Sequence, residues 1–349
     1  MGLFRKADEV VSLLNRAQRL ERRGRFQQAI DELTSFNRQR PDTRIERRLV
    51  DLRHRAFFEH KATSPFTSWP PSHETIFTDF GTFPEIDRAQ LTVEAMWSGV
   101  FDQGSLIVRN MLPTPDVELL RDCIENTYRS HDRISETGSL DPDDPWFVPF
   151  VPGPKSGNVE ELSREWYRKS GAELAADSPR GLFNVIDILE RNGIVPFIAQ
   201  YLGERPGLSV RKTSLRRIPK DIDASNGWHQ DGRFLGHGIR TVNLWVALTD
   251  CGVTAPSMDM VPRRMDHIVP SGTHGAIFEW SVSDLAVLEA VPDTPPQRMH
   301  FKAGDAVFFD EMNMHRTGSD KGMTNDRYAL EAWFFAPSCY PMDQIPLLV

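Results

Sequence analysis

Apolar residues recur at helical spacing near the start of the chain. Val10, Leu13, Leu14, Ala17 and Leu20 mark one amphipathic helix; Gly24 interrupts it, and Phe26, Ala29, Ile30, Leu33 and Phe36 restart the pattern until Pro41 closes it. A third helix is expected over 43–59. Residues 62–85 are rich in Pro, Ser and Thr and read as a linker wrapping the body of the protein. The pattern then changes. GSLIVRNML at 104–112 reads as a strand and PTPDVELLRDCIENTYR from Pro113 as a helix with acidic residues in its first turn. Residues 131–160 read as a long loop and 181–203 as another helix. From about 207 the apolar runs shorten to strand length: LSVRKTSLRRI (208–218), RTVNLWVAL (240–248), SMDMVPR (257–263), QRMHFKA (297–303), DAVFFD (305–310) and RYALEAWFFA (327–336). Helices followed by many short strands predict an α+β chain, with a jelly-roll or barrel core and helices packed outside it.

The first two helices resemble a single tetratricopeptide repeat, with Ala17, Gly24, Phe26 and Ala29 on its small and aromatic positions and Pro41 as its terminal proline. One repeat cannot bury its own face, so this hairpin is expected to pack on the body, a second subunit or a partner. The expected division is a helical module at 1–62 and a catalytic domain at 63–349.

Composition narrows the class. The 349 residues are 40% hydrophobic and 26% charged, enough for a sizeable core. No apolar run is long enough for a membrane span, and MGLFRKADEV lacks a signal core. Lys6 stands where a myristoylation motif needs Ser or Thr. Cys123, Cys251 and Cys339 are far apart and odd in number, which suggests reduced thiols in a cytoplasmic protein. Charge is uneven. Residues 1–62 carry 15 Lys and Arg against 9 Asp and Glu, whereas the remainder carries 26 against 40. The basic module either attracts the acidic body or offers a docking face to an acidic partner, such as a carrier protein. The Arg-rich stretch 38–55 lacks the aromatic interleaving of a nucleic-acid surface.

The candidate chemistry lies in the strand-rich part. In NGWHQDGRF, His229 and Asp231 are two positions apart, so on a strand they point the same way. His315 follows the apolar strand AVFFD, and Arg327 begins RYALEAWFF. Two imidazoles and one carboxylate make the facial triad of a non-haem iron(II) site, and an arginine fork suits a dicarboxylate cosubstrate.

The segment from roughly 100 to 336 resembles the phytanoyl-CoA dioxygenase-like iron(II)/2-oxoglutarate oxygenases. The residues that carry the resemblance are GSLIVRNMLPTPDVELLRDCI, WHQDG, TVNLWVALTD and AGDAVFFDEMNMHRTGSDKGMTNDRYALEAWF. It implies a distorted double-stranded β-helix core that uses iron(II), 2-oxoglutarate and O2. His229, Asp231 and His315 would be the metal ligands and Arg327 the anchor for the far carboxylate. Trp245 and Asn243 would line the cosubstrate site, with Lys212, Ser214 and Arg216 contacting cosubstrate or substrate from the preceding strand. Because Asp231 is kept, the resemblance implies a hydroxylase or desaturase and not a halogenase. After Pro262 the chain departs from the family pattern with Arg263, Arg264 and Met265, so the family's acyl-CoA substrate does not carry over.

Each residue also has a plainer reading. The His229–Asp231 pair could be a turn, and Arg327 a surface ion pair with Asp326 or Glu331. His237 reads as a solvated loop residue, or else a substrate contact; His267, His274 and His300 read as structural or exposed. Trp228, Gln230, Arg233 and Met314 are expected at the substrate pocket beside the ligands. The resulting expectation is a monomeric or homodimeric hydroxylase of a small organic molecule, free or carrier-tethered. The alternatives are a binding or adaptor protein that works through its basic hairpin, and a cupin-like metal enzyme that does not use 2-oxoglutarate, against which Arg327 speaks.

Overall fold

The computed structural model describes residues 2–153, 155, 164–220, 227–273 and 275–349; Asn226 and His274 therefore lie outside the described residues. The chain is mixed α and β, with a sheet-rich centre. Helices α1 (Gly2–Arg22), α2 (Phe26–Gln39) and α3 (Thr43–Glu59) come first. An irregular stretch leads to strand β1 (Glu85–Asp87), helix α4 (Val93–Trp97), strand β2 (Ser105–Arg109) and helix α5 (Thr114–Thr137). Next come α6 (Arg164–Lys169), β3 (Ala172–Leu174), α7 (Pro179–Arg191), α8 (Ile194–Leu202), β4 (Gly207–Ser209) and β5 (Ser214–Ile218). The last part holds α9 (Gly232–Leu235), β6 (Thr241–Ala247), β7 (Ser257–Arg264), α10 (Asp284–Ala290), β8 (Gln297–Arg298), β9 (Ala306–Phe309), β10 (Asn313–Gly318), β11 (Arg327–Phe335) and β12 (Pro346–Leu348).

Two sheets form. The larger runs β1-β2-β9-β6-β11-β4-β12, with β5 pairing β11 and β3; the smaller runs β10-β7-β8. Alternation along the central strands assigns their two faces. Val242, Leu244, Val246, Phe308, Leu330, Ala332 and Phe334 pack on α5, α7 and α8 through Leu120, Ile124, Leu182, Leu189 and Ile198. Trp245, Ala247, Val307, Phe309, Ala329 and Trp333 face the other way, into a core shared with Met258 and Met260 of β7. The space between the sheets is therefore largely apolar, and the polar residues admitted to it stand out.

Several elements differ from the sequence expectation for identifiable reasons. The helix expected over 181–203 is two, because Gly193 takes a left-handed φ of 73° between them. The helix begun at Pro113 runs on to Thr137, where left-handed Gly138 caps it, so the expected loop starts later. The strand expected over 208–218 breaks at Val210–Thr213 into β4 and β5. That break removes Lys212 from the strand face shared by Ser214 and Arg216. Strand β10, which carries His315, has little β-like composition of its own. It is a strand because it pairs with β7, with His315 opposite Met260.

The three N-terminal helices lie on the body. Phe57 of α3 packs against Tyr340, ring centroids 4.8 Å apart, and α3 also meets α7 and β12. Polar contacts join the helices to the body. Arg38 pairs with Asp187, buried Arg53 reaches Glu190 at 3.0 Å and the Leu348 carbonyl at 3.1 Å, and Arg180 of α7 returns a bond to buried Glu46 at 2.9 Å. Part of the module's positive charge is thus met by carboxylates of the body. Among the described residues, no helix is long and apolar enough to cross a membrane.

Candidate metal centre

His229 and His315 come from segments far apart in sequence and meet through the backbone. Each donates its N–H to the other's carbonyl at 3.0 Å, so the two residues face each other as a small antiparallel pair. Their rings lie 4.3 Å apart, centroid to centroid. Asp231 follows on the turn into α9, with Gly232 immediately after it. A Cβ at Gly232 would sit 2.8 Å from Ile268 Cδ1 and 3.1 Å from the Glu311 carbonyl, so glycine lets the turn pack tightly. One potential ligand atom from each of His229, Asp231 and His315 lies within 4.8 Å of the others, and Asp231 Oδ2 is 3.5 Å from His315 Nε2.

The protonation states suit a cation. His229 Nδ1 is 3.2 Å from the Gly227 carbonyl and His315 Nδ1 is 3.2 Å from the Asn313 carbonyl. A carbonyl only accepts, so in each ring the proton sits on Nδ1 and the Nε2 lone pair is left free. Burial, reinforced by the neighbouring His315, pushes His229 down to about 4, and burial also lowers His315. Both are neutral imidazoles near neutral pH. Burial alone would raise the Asp231 carboxyl; the Lys212 ammonium and the two imidazoles outweigh it and hold the group well below the usual carboxylate range. Lys212 makes this pair from Nζ to Asp231 Oδ1 at 2.5 Å.

Several charged side chains around the cluster are paired. Arg216 pairs with Glu331 at 2.7 Å, and Ser214 Oγ lies 3.3 Å from the same carboxylate. Arg217 pairs with Asp326. The two carboxylates that offered Arg327 a surface ion pair are therefore taken. Arg327 itself is 1% exposed, donates Nη1 to the Ser257 carbonyl at 2.8 Å, and stands 5.6 Å from the Trp245 ring centroid. Its Nε has no partner, and among the described residues it forms no salt bridge. Burial, joined by the nearby Arg216 charge, lowers its pKa from the ordinary value. A buried guanidinium without a counter-ion is costly unless an anion completes it. Asn243 adds a second unmet need. It is buried beside Phe309, which touches the His315 ring at 4.8 Å, and neither its amide nitrogen nor its oxygen has a partner.

Other expected site residues lie elsewhere. Trp228 and Met314 pack into a satellite core with Val261, Met265, Val269 and Val282, because strand alternation turns them away from the face used by His229 and His315. Gln230 is consumed by structure. Its amide nitrogen donates to the His267 and Met312 carbonyls at 2.9 and 3.0 Å, and its oxygen accepts from Val269 N at 2.8 Å. Arg233 is exposed and donates to Ser271 Oγ at 3.4 Å. His237 is exposed in the loop before β6, His267 and His300 are exposed too, and none of the three joins the cluster. In their place the structure brings rings that sequence patterning did not single out. Trp280 stands edge-on to His229, centroids 5.7 Å apart, and Phe234 lies 6.5 Å from it. Phe234 was traceable as an apolar side chain one helical turn from Asp231; Trp280, in a loop, left no signal.

Iron(II) and 2-oxoglutarate fit this arrangement. Two neutral nitrogens and one carboxylate oxygen suit iron(II), and the unsatisfied Arg327 and Asn243 suit a buried oxygen-rich anion. Residues 102–325 match the family model described as phytanoyl-CoA dioxygenase (PhyH). Among solved structures, the chain is similar to AviO1 from Streptomyces viridochromogenes Tue57, at 18% identity over 71% of this chain and 95% of that one, TM-score 0.44. It is also similar to EctD from S. alaskensis, solved with 2-oxoglutarate and 5-hydroxyectoine, at 15% identity over 80% and 87%, TM-score 0.46. A third is the non-heme alpha ketoglutarate dependent carbocyclase SnoK from nogalamycin biosynthesis, at 16% identity over 71% and 85%, TM-score 0.43. No curated protein matches the sequence.

Proposed function

Because the chain belongs to the phytanoyl-CoA dioxygenase family, whose members use iron(II), 2-oxoglutarate and O2, we propose that it is a hydroxylase-type oxygenase acting on an unactivated C–H of a small organic molecule. In this reading the metal ligands are His229, Asp231 and His315, and the two sheets are a distorted double-stranded β-helix, or jelly roll. The observation that carries it is the convergence of those three side chains within 4.8 Å beside a buried arginine that lacks a carboxylate.

Bound iron(II), 2-oxoglutarate and O2 together supply the oxidation, with succinate and CO2 as coproducts. The chain's own residues bind and orient. His229 and His315 present Nε2 because their Nδ1 protons are held by backbone carbonyls, which also fixes the ring planes. Lys212 keeps Asp231 ionised in a dry site. Arg327 takes the distal carboxylate of the cosubstrate, with Trp245 flanking it and Asn243 offering the amide. Arg216 and Ser214, being tied to Glu331, shape the wall and are not its anchors. No protein general base is needed, in keeping with two histidines that are neutral and oriented as ligands.

Residues 1–62 are read as a docked helical module and 63–349 as the catalytic domain. The engagement of Arg38 and Arg53 by Asp187 and Glu190 supports an internal role for the module over an acidic-partner face. The function is tested by iron-dependent conversion of 2-oxoglutarate to succinate with consumption of O2. Slow turnover without added substrate, lost in Asp231→Ala, is expected; no turnover under any substrate mixture would sink the reading.

A further inference from the structure

Phe234 and Trp280 border the metal cluster and also meet solvent. Phe234 is fixed by three relationships. It lies one helical turn after Asp231, its ring is 6.5 Å from His229, and the Lys212 ammonium that pairs with Asp231 is 5.4 Å from its centroid. A ring so placed borders two of the three candidate ligands. Trp280 contacts the same histidine edge-on and lies 6.1 Å from Phe234, while Phe278 stacks on Trp280 at 5.1 Å with the planes only 3° apart.

The loop that carries them is fastened at its base. Gly272 N donates to the Ser281 carbonyl at 2.9 Å, Phe278 N to Ser281 Oγ at 3.0 Å, and Val282 N to the Trp228 carbonyl at 2.8 Å. Yet Phe234 is 42% exposed, Phe278 43% and Ile277 62%. Holding large apolar side chains in water beside a polar centre is unfavourable unless something covers them. Charge does not compete for the surface. Lys212 is already paired, and Arg233 and Glu279 are exposed at the rim.

We propose that Phe234, Phe278 and Trp280 form the substrate-recognition wall of the metal centre, and that the substrate is an apolar ring-bearing molecule that lies against these rings. This rests on reading His229, Asp231 and His315 as the metal site. The wall offers π faces and aromatic edges, which favour flat or alicyclic ring systems by stacking and edge contacts, while the cations beside it are engaged, Lys212 by Asp231 and Arg233 by Ser271 Oγ at the rim. The occupant is the substrate, and not another protein surface, because the wall is continuous with His229.

The test uses the full chain, loaded without O2 with iron(II) and 2-oxoglutarate, and two probes, 1-naphthol and L-proline, read by calorimetry and by perturbation of the chelate's visible band. Naphthol is expected to bind and shift the band, and proline to do neither. Phe234→Ala and Phe278→Ala should each weaken naphthol about tenfold while leaving the band and 2-oxoglutarate affinity as in the parent. Naphthol that fails to bind, or that binds both variants as it binds the parent, overturns the proposal. So does a change of oligomeric state in Phe278→Ala with naphthol affinity retained, which would make the patch a subunit contact. If the band never forms, the metal reading fails by itself, and calorimetric loss of naphthol in both variants still decides for or against the wall.

Discussion

Lys212 and Asp231 form an ion pair at the heart of the candidate site, with Nζ 2.5 Å from Oδ1. The pair sets the charge state of a candidate metal ligand, although the lysine is contributed by the turn between β4 and β5. Lys212→Met leaves a carboxylate in a buried site with its main stabilising charge gone, so its pKa climbs. The pH below which the protein no longer binds cobalt(II) should move up by about one unit or more. Superimposable pH profiles for parent and variant would contradict this.

Arg327 is buried without a carboxylate, so its removal should cost the fold little and cosubstrate binding much. Arg327→Ala is expected to weaken 2-oxoglutarate about 100-fold, with metal affinity unchanged. Arg327→Lys should recover only part, because an ammonium cannot reproduce the fork. Calorimetry of 2-oxoglutarate binding to the three proteins checks it; a fall in urea stability without a change in cosubstrate affinity would make Arg327 structural.

Asn243 offers a cleaner separation of fold from function. Its amide is buried with both atoms unpaired, so Asn243→Leu should hold or raise the stability of the cosubstrate-free protein while reducing 2-oxoglutarate affinity. Thermal unfolding with and without 2-oxoglutarate reads both effects. Equal losses in the two conditions would show a structural hydrogen bond.

Two half-buried groups give the metal-free protein opposite pH dependences. His229 is held at about 4 by burial and the adjacent His315, against an ordinary 6.5. Between those values the unfolded chain holds the extra proton, so stability is lost as pH falls through that window. Glu311 is pushed up from 4.5 to about 8 by burial and the Asp310 charge. There the folded protein holds the extra proton, so stability is lost as pH rises from the unfolded value toward 8. Glu311→Gln removes the second effect. It should gain about 1–3 kcal/mol near pH 8 and far less near pH 4, measured by urea titration. A pH-independent change would refute the assignment.

The N-terminal helices should be inseparable from the body. Arg53 is buried and bridges Glu190 and the Leu348 carbonyl. Arg53→Met removes the Leu348 carbonyl's and Glu190's bonds to the guanidinium, leaving Glu190 only its longer bond from Arg38, and is expected to cost about 1–3 kcal/mol, seen as one cooperative shift in the whole unfolding transition. A variant that loses only part of its helical signal would show that the helices fold apart from the rest.

Much of the candidate site could be read from the chain because ligand chemistry constrains residue type. His229, Asp231 and His315 were marked by order and identity, and their convergence needed only a pair of backbone hydrogen bonds. Residues whose role depends on which way a side chain turns were less legible. Trp228, Gln230 and Met314 are neighbours of ligands in sequence and were expected at the pocket, yet alternation and local hydrogen bonds commit them elsewhere. Lys212 was expected on a strand face and reaches Asp231 from a turn instead. Trp280 became visible only in three dimensions, since nothing in a loop's composition reports which histidine it will meet. Strand β10 was hidden for a related reason, as its pairing with β7 and not its own residues makes it a strand.

The most direct measurement is anaerobic addition of iron(II) and 2-oxoglutarate, watching for the weak visible charge-transfer band of the chelate. The parent protein should develop the band at one iron per chain, and His229→Ala, Asp231→Ala and His315→Ala should each diminish or abolish it while remaining folded. A parent that binds iron and 2-oxoglutarate without the band, or a band that survives in all three variants, would contradict the assignment of these residues as the metal centre.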